Sequence, residues 1–105
     1  MELIGMGASP GIIEGKVFIV DNLQQDAAEM EYGQILVMRF STPAYFEFFI
    51  KASAIITETG GITCHAASLA RDLNIPCVVS VDQILAKVKD NDIVTVDGNN
   101  GVIYV

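Results

Sequence analysis

The stretch Thr57-Glu58-Thr59-Gly60-Gly61-Ile62-Thr63-Cys64-His65-Ala66-Ala67-Ser68-Leu69-Ala70-Arg71 decides how the rest of the chain is read. It carries the only histidine of the sequence, and the apolar run Ala54-Ile55-Ile56 leads into it. A β-branched run, a Gly-Gly pair and then a helical pattern predict strand, tight loop and helix, with His65 near the helix start. A side chain at that place is held rigidly, close to backbone N–H groups that no helical carbonyl takes up.

A helical projection divides the segment. At about 100° per residue, Ala66, Leu69, Ala70 and Leu73 share one arc, which is expected to face the core. His65, Ser68, Arg71 and Asp72 fall on the opposite, polar arc. His65 is therefore expected at the solvent edge, with Ser68 one turn further on. A lone histidine is ordinarily structural. The two glycines before this one favour function, because they permit positive φ and a close approach of backbone to an anion.

Composition narrows the classes. With 105 residues, about half of them apolar, the chain is expected to be one globular domain with a small core. A formal charge of −7 leaves no basic surface to neutralise phosphates, which argues against a nucleic-acid partner. No apolar run approaches the roughly 18 to 20 residues that span a bilayer. Met1-Glu2-Leu3-Ile4-Gly5 lacks the basic and long apolar regions of a signal peptide. A cytoplasmic protein is expected, no membrane partner, and Cys64 and Cys77 as free thiols.

Working outward from the motif, Met6 to Gly11 reads as a turn-forming cluster before a strand at Gly15 to Val20. Asp21 to Gly33 reads as an acidic surface connection. Gln34 to Arg39 predicts a second strand. Ser41 or Thr42 with Pro43 predicts a capped start to a helix over Ala44 to Ala52. That helix is apolar almost all round, with Glu47 and Lys51 as an i,i+4 pair. It is either buried between layers or an aromatic surface for docking on another domain. After the central motif, Asn74-Ile75-Pro76 stops the helix and Cys77 to Val81 reads as a strand. Asp82 is placed to cap a short helix over Gln83 to Val88. Ile93 to Asp97, the turn Gly98-Asn99-Asn100-Gly101 and Val102 to Val105 form a hairpin signal. The expected fold is α/β, a mixed sheet with helices packed on it.

Several chemistries compete for His65. One histidine and two cysteines supply too few ligands at recognised spacing for a metal. Cys64 and His65 are consecutive and are expected to diverge, unlike a hydrolase pair. No Gly-Lys-Ser/Thr phosphate loop is present. Histidine as phosphoryl acceptor survives, since neutral imidazole is a nucleophile near neutral pH. The added negative charge would then sit over a helix N-terminus, worth roughly 0.3–1 kcal/mol at an exposed site.

The pattern Thr57-x-x-Gly60-Gly61-x-Thr63-x-His65-Ala66-Ala67-x-x-Ala70-Arg71 resembles the signature of the phosphohistidine swivelling (mobile) domain of phosphoenolpyruvate-utilising enzymes. That family includes phosphoenolpyruvate synthase, pyruvate phosphate dikinase, enzyme I of the bacterial sugar phosphotransferase system and rifampicin phosphotransferase. Gly7 to Gly11 with Gly15-Lys16-Val17, Ile35 to Val37 with Thr42-Pro43, Ile75 to Val79, and Val94 to Gly98 with Gly101 to Tyr104 are similar to further family segments in the same order. Cys64 before the histidine is most similar to the synthase subgroup.

The resemblance implies the swivelling β/β/α fold over residues 1–105, with His65 as the residue that is phosphorylated. It implies a relay between an ATP-grasp nucleotide-binding domain and a phosphoenolpyruvate/pyruvate barrel or another acceptor domain. Such a pyruvate, water dikinase or pyruvate phosphate dikinase component is not expected to turn over without partner domains. ATP, Mg²⁺ and phosphoenolpyruvate or pyruvate are expected on those partners, with no cofactor or metal on this chain. Gly60, Gly61 and Thr63 would shape the phosphate-side loop; Ser68, a departure from the family pattern, is able to hydrogen-bond a phosphate. Thr63 matches a regulatory phosphorylation site of the dikinase relatives, or simply orients the imidazole. Arg71 lies about 120° from His65 in helical phase, which favours a salt bridge or interdomain contact over a phosphate contact. Ser68 and Ser80 depart from the family pattern, where an aliphatic residue and a glycine are usual. The alternative is a non-catalytic regulatory or interaction module that keeps the fold and binds through its Phe-rich helix.

Overall fold

The structure, a computed structural model, describes residues 1–21 and 25–105. Two runs, β4 (Ile35–Met38) and β5 (Ala54–Thr57), are buried at every position, as parallel strands covered on both faces must be. They pair in parallel with each other, with the second half of β3 (Ile12–Val20) on one side and β6 (Cys77–Val79) on the other. The first half of β3 turns to antiparallel pairing with β7 (Ile93–Asp97), which continues into β8 (Val102–Tyr104). One long strand thus belongs to both a parallel and an antiparallel region.

The period-two alternation of these strands divides the interior into two cores. Leu36, Met38, Ile55, Cys77 and Val79 point to one face, against α1 (Phe46–Phe49) and α2 (His65–Leu73), where Phe49, Ala66, Ala67 and Ala70 are fully buried. Ile35, Val37, Ala54, Ile56 and Val78 point to the other face. There they meet Val94, Val96 and Ile103 of the hairpin, and Ile84 of α3 (Ile84–Lys87). The layers are hairpin sheet, central sheet and helices, the expected β/β/α arrangement.

The remaining strands, β1 (Glu2–Ile4) and β2 (Met6–Ser9), follow each other with only Gly5 between them, yet they occupy opposite ends of the strand order β1-β8-β7-β3-β4-β5-β6-β2. The two ends of the sheet therefore come together at a seam, bridged by Gly5 N–H to Gly101 C=O at 2.9 Å. The seam has no room for side chains. A Cβ on Gly98 would land on the Ser9 carbonyl oxygen, one on Gly7 on the Gly98 oxygen, and one on Gly101 would lie 2.7 Å from Gly7 N. This corrects the reading of Met6 to Gly11 as a turn cluster: Met6 to Ser9 is a strand paired with β6. Its small residues serve the close approach of backbones, and β3 begins at Ile12 rather than Gly15. The chain ends also meet, with the Met1 ammonium donating to Val105 O at 3.1 Å and Val105 N–H to Met1 O at 2.9 Å.

The helix expected over Ala44 to Ala52 is shorter. Pro43–Tyr45 is a 3₁₀ turn and α1 is a single α turn. Thr42 makes no cap, and its Oγ1 is buried without a partner among the described residues. Lys51 explains the early end: its Nζ donates to Ala27 O at 2.7 Å and Met30 O at 3.0 Å, and its carbonyl accepts from Gly33 N–H. It does not pair with Glu47. The same contacts draw part of the supposed surface connection inward, burying Ala27 and Met30. Residues 22–24 of that connection lie outside the described residues. Tyr45, Phe48 and Phe49 are buried while Phe46 and Ile50 are exposed, so the helix is covered on one side only.

Two further boundaries move. β6 ends at Val79 because Ser80 takes the left-handed conformation, φ 58°. That accounts for the glycine usual in the resembling family at this place. α3 starts at Ile84 after Gln83, also left-handed, and Asp82 gives no cap. Instead the Glu58 carboxylate accepts from Leu85 N–H at 3.3 Å.

Candidate phosphoryl-acceptor site

The loop before α2 is tied to the end of β4. Glu58 N–H donates to Met38 O and Thr59 N–H to Arg39 O, each at 3.0 Å, and the Thr59 hydroxyl also reaches Arg39 O at 3.0 Å. Buried Thr57 donates its hydroxyl to Thr59 O at 2.6 Å, which fixes the exit from β5. Segments 39–41 and 57–60 are thereby held side by side, although about twenty residues apart in sequence. From this base the chain turns at Gly60, φ 106°, where a Cβ would press on Cys64 Sγ at 3.1 Å. Gly61 differs. Its φ is not left-handed, and a Cβ there would meet nothing within 4 Å. Only one glycine of the pair is required by the turn; the other borders open space.

Cys64 N–H then donates to Gly61 O, and Cys64 becomes the residue before α2. Its side chain makes no cap hydrogen bond, so no side chain satisfies the first-turn amides. His65 opens the helix, exposed as expected. Its Nδ1 lies 2.6 Å from the Ser41 hydroxyl oxygen, and its ring meets the buried Phe49 ring edge-on at 6.0 Å between centroids. A hydroxyl on one nitrogen and an aromatic ring against the flank fix the imidazole plane. Nε2 is left as the nitrogen open to a reactant.

The other expected residues fall into place around it. Thr63 is exposed, but the hydroxyl that holds the imidazole is Ser41's. Ser68 is exposed one turn along the helix. The projection is right for Ala66 and Ala70, whereas Leu69 and Leu73 are only half-buried and Ala67 is fully buried. The small Ala67 lets α2 lie close on the sheet. Arg71 forms no salt bridge among the described residues. Its Nη1 donates to Ala8 O at 2.8 Å and Ile62 O at 2.9 Å, pinning the loop to β2. α2 ends at left-handed Asn74, φ 58°, the expected stop.

Ser41 and Phe49 were not legible as site residues. Ser41 stands 24 residues before His65 and signals only a helix start; Phe49 reads as one more core aromatic. Both cysteines are free. Cys77 is fully buried, and burial pushes its thiol up to about 12, with nearby Cys64 adding to the shift and Arg71 opposing it. Among the described residues, no three His, Cys, Asp or Glu side chains group as a metal site, and no helix is long and apolar enough to cross a membrane.

The chain is 43% identical over 100 residues to the phosphoenolpyruvate synthase of Aeropyrum pernix, covering 95% of this chain and 12% of that protein. It is 34% identical to the rifampicin phosphotransferase of Streptomyces sviceus, covering 98% of this chain and again 12% of the relative. The chain thus spans about an eighth of these relatives. Among solved structures, the enzyme I protein nEIt superposes with a TM-score of 0.67 at 31% identity, covering 77% of this chain and 34% of that one. Thermococcus kodakaraensis aconitase X, at 22% identity and a TM-score of 0.73 over 99% of this chain and 97% of that one, shares the fold. Residues 30–101 match the family described as PEP-utilising enzyme, mobile domain. With that match and the identities above, the chain belongs to the mobile-domain family of PEP-utilising enzymes.

Proposed function

We propose that this chain is a phosphoryl carrier in which His65 Nε2 accepts a phosphoryl group and passes it on. One observation carries the reading: the 2.6 Å contact between His65 Nδ1 and the Ser41 hydroxyl. With the proton on Nδ1 donated to Ser41 Oγ, the lone pair on Nε2 is free for in-line attack on phosphorus. The Nε2–P bond forms as the donor's bridging P–O bond breaks, and the leaving oxygen keeps that electron pair. The second transfer reverses these changes on a different acceptor. The uncapped first turn of α2 and the open space at Gly61 favour the transferred group electrostatically and sterically.

Loading and unloading belong to other domains, an ATP-grasp domain with ATP and Mg²⁺ and a phosphoenolpyruvate/pyruvate or other acceptor domain. They would act in the same protein or as separate subunits, so turnover needs them. Thr63, exposed two residues before His65, would add charge beside the site if phosphorylated, repelling an incoming phosphoryl donor.

The test is radiolabelled phosphoenolpyruvate with the barrel domain of a related synthase. Acid-labile, alkali-stable label on the parent and none on His65→Ala is expected, with ³¹P NMR placing the phosphorus on Nε2. Equal labelling of His65→Ala sinks the proposal. A second reading, a binding module without phosphoryl chemistry, is favoured only by the exposed Phe46 and Ile50. It requires partner binding that His65→Ala leaves intact and no acid-labile phosphate on the parent.

A further inference from the structure

Behind the His65 loop, where β2 ends and α2 finishes, Ser9, Pro10, Arg71 and Asn74 line a cavity of about 230 Å³. Three of these four residues bring polar groups that the fold leaves unused. Arg71 spends Nη1 on the carbonyls of Ala8 and Ile62. Its Nε and Nη2, the edge of the guanidinium that grips a carboxylate through two parallel hydrogen bonds, have no partner among the described residues. Ser9 is only 3% exposed, yet its hydroxyl makes no hydrogen bond with any described residue. That hydroxyl is not sealed in the interior, and the space it borders is this cavity. Asn74 owes its place to the left-handed helix end, which uses its backbone and leaves the side-chain amide uncommitted among the described residues.

We infer that this cavity is a binding site for a small organic carboxylate. Among the described residues, Arg71 supplies its only charged lining group, and none of those lining it is acidic. The unspent Nε–Nη2 edge suits a planar carboxylate, Ser9 and Asn74 add single hydrogen bonds, and Pro10 offers an apolar wall to a short carbon chain. Phosphate can also pair with a guanidinium edge, but it has no carbon chain to lay against Pro10. The cavity also adjoins the C-terminal turn of α2, where the helix dipole disfavours anions. The attraction must therefore come from Arg71, and binding is expected to be weak and salt-sensitive. The site is separate from His65 Nε2 and does not depend on phosphoryl transfer.

The test is an NMR titration of the whole chain at fixed ionic strength with malonate, acetate, inorganic phosphate and chloride, following Arg71 Nε–H, the Asn74 side-chain amide and the Ser9 backbone amide. Saturable shifts of all three with malonate or acetate are expected, with phosphate and chloride giving none that saturate. Ser9→Ala, a small change that keeps the fold, should weaken binding roughly tenfold. Arg71→Gln should abolish it. Shifts that never saturate, equal shifts with chloride or phosphate, or unchanged affinity in Ser9→Ala would each overturn the assignment.

Discussion

Two groups of glycines serve opposite ends in this molecule. At the seam that joins β1 and β2 to the hairpin turn, Gly7, Gly98 and Gly101 are required because backbone lies directly against backbone. In the His65 loop, Gly60 is required by its own left-handed turn, and Gly61 borders empty space. The first group closes the sheet, and the second shapes the loop that leads into the helix of His65. Identical residues thus mark both crowded and open backbone, and only the neighbours tell them apart.

Substitution by alanine should separate the two. Gly98→Ala puts a methyl group on the Ser9 carbonyl with no flexible side chain to yield. We expect a loss of about 3 kcal/mol or more in urea unfolding; a change under roughly 0.5 kcal/mol would break the seam account. Gly60→Ala meets a strained φ and Cys64 Sγ, which can shift a little, so about 1–2 kcal/mol is expected. Ser41→Ala should leave stability nearly unchanged but slow phosphorylation of His65 roughly tenfold, about 1.4 kcal/mol in the barrier. An unchanged rate would remove Ser41 from the site. Gly61→Ala should alter stability by less than about 0.5 kcal/mol while still slowing phosphoryl uptake, because the methyl group enters the open space. If both stability and uptake are unaffected, that space has no part in transfer.

The smallest effect concerns the seam at low pH. The Asp97 carboxylate accepts from the Asn100 side chain at 2.9 Å, and from the backbone N–H groups of Asn100 and Asn99 at 3.0 Å. These bonds, led by the Asn100 side chain, hold its carboxyl below the usual carboxylate range. The folded chain therefore binds this proton less readily than the unfolded chain. The stabilisation is complete above the ordinary aspartate value of about 4 and is lost as pH falls through the lower folded value. Asp97→Asn should flatten that acid limb in thermal unfolding, and an unaltered limb would assign it to other carboxylates.

How much was legible follows from how local each signal was. β5, the closing hairpin and the start and stop of α2 announce themselves through apolar runs, Asn-Asn between glycines, and Asn74 before Pro76. His65 at the solvent edge followed from helical phase alone. β2 was hidden because Gly7, Ala8 and Ser9 look like turn residues, while the crowding that selects them comes from residue 98 onward. The shortening of α1 was hidden because Lys51 finds its carbonyl partners near residue 30. Ser41 on His65 was hidden for the same reason. Each miss is a contact across tens of residues, which no periodicity encodes.

The meeting of Met1 and Val105 has a mechanical consequence. β1 and β8 run antiparallel with Glu2 opposite Tyr104, so the two chain ends leave from the same end of one ladder. A pull applied through both ends would load its rungs one after another, like a zipper, rather than all at once in shear. Little force would be needed to peel the first rungs, and the strain would be spent there before it reached the central strands. Tension on the ends can thus be relieved at the edge of the molecule while the ring of His65 keeps its setting.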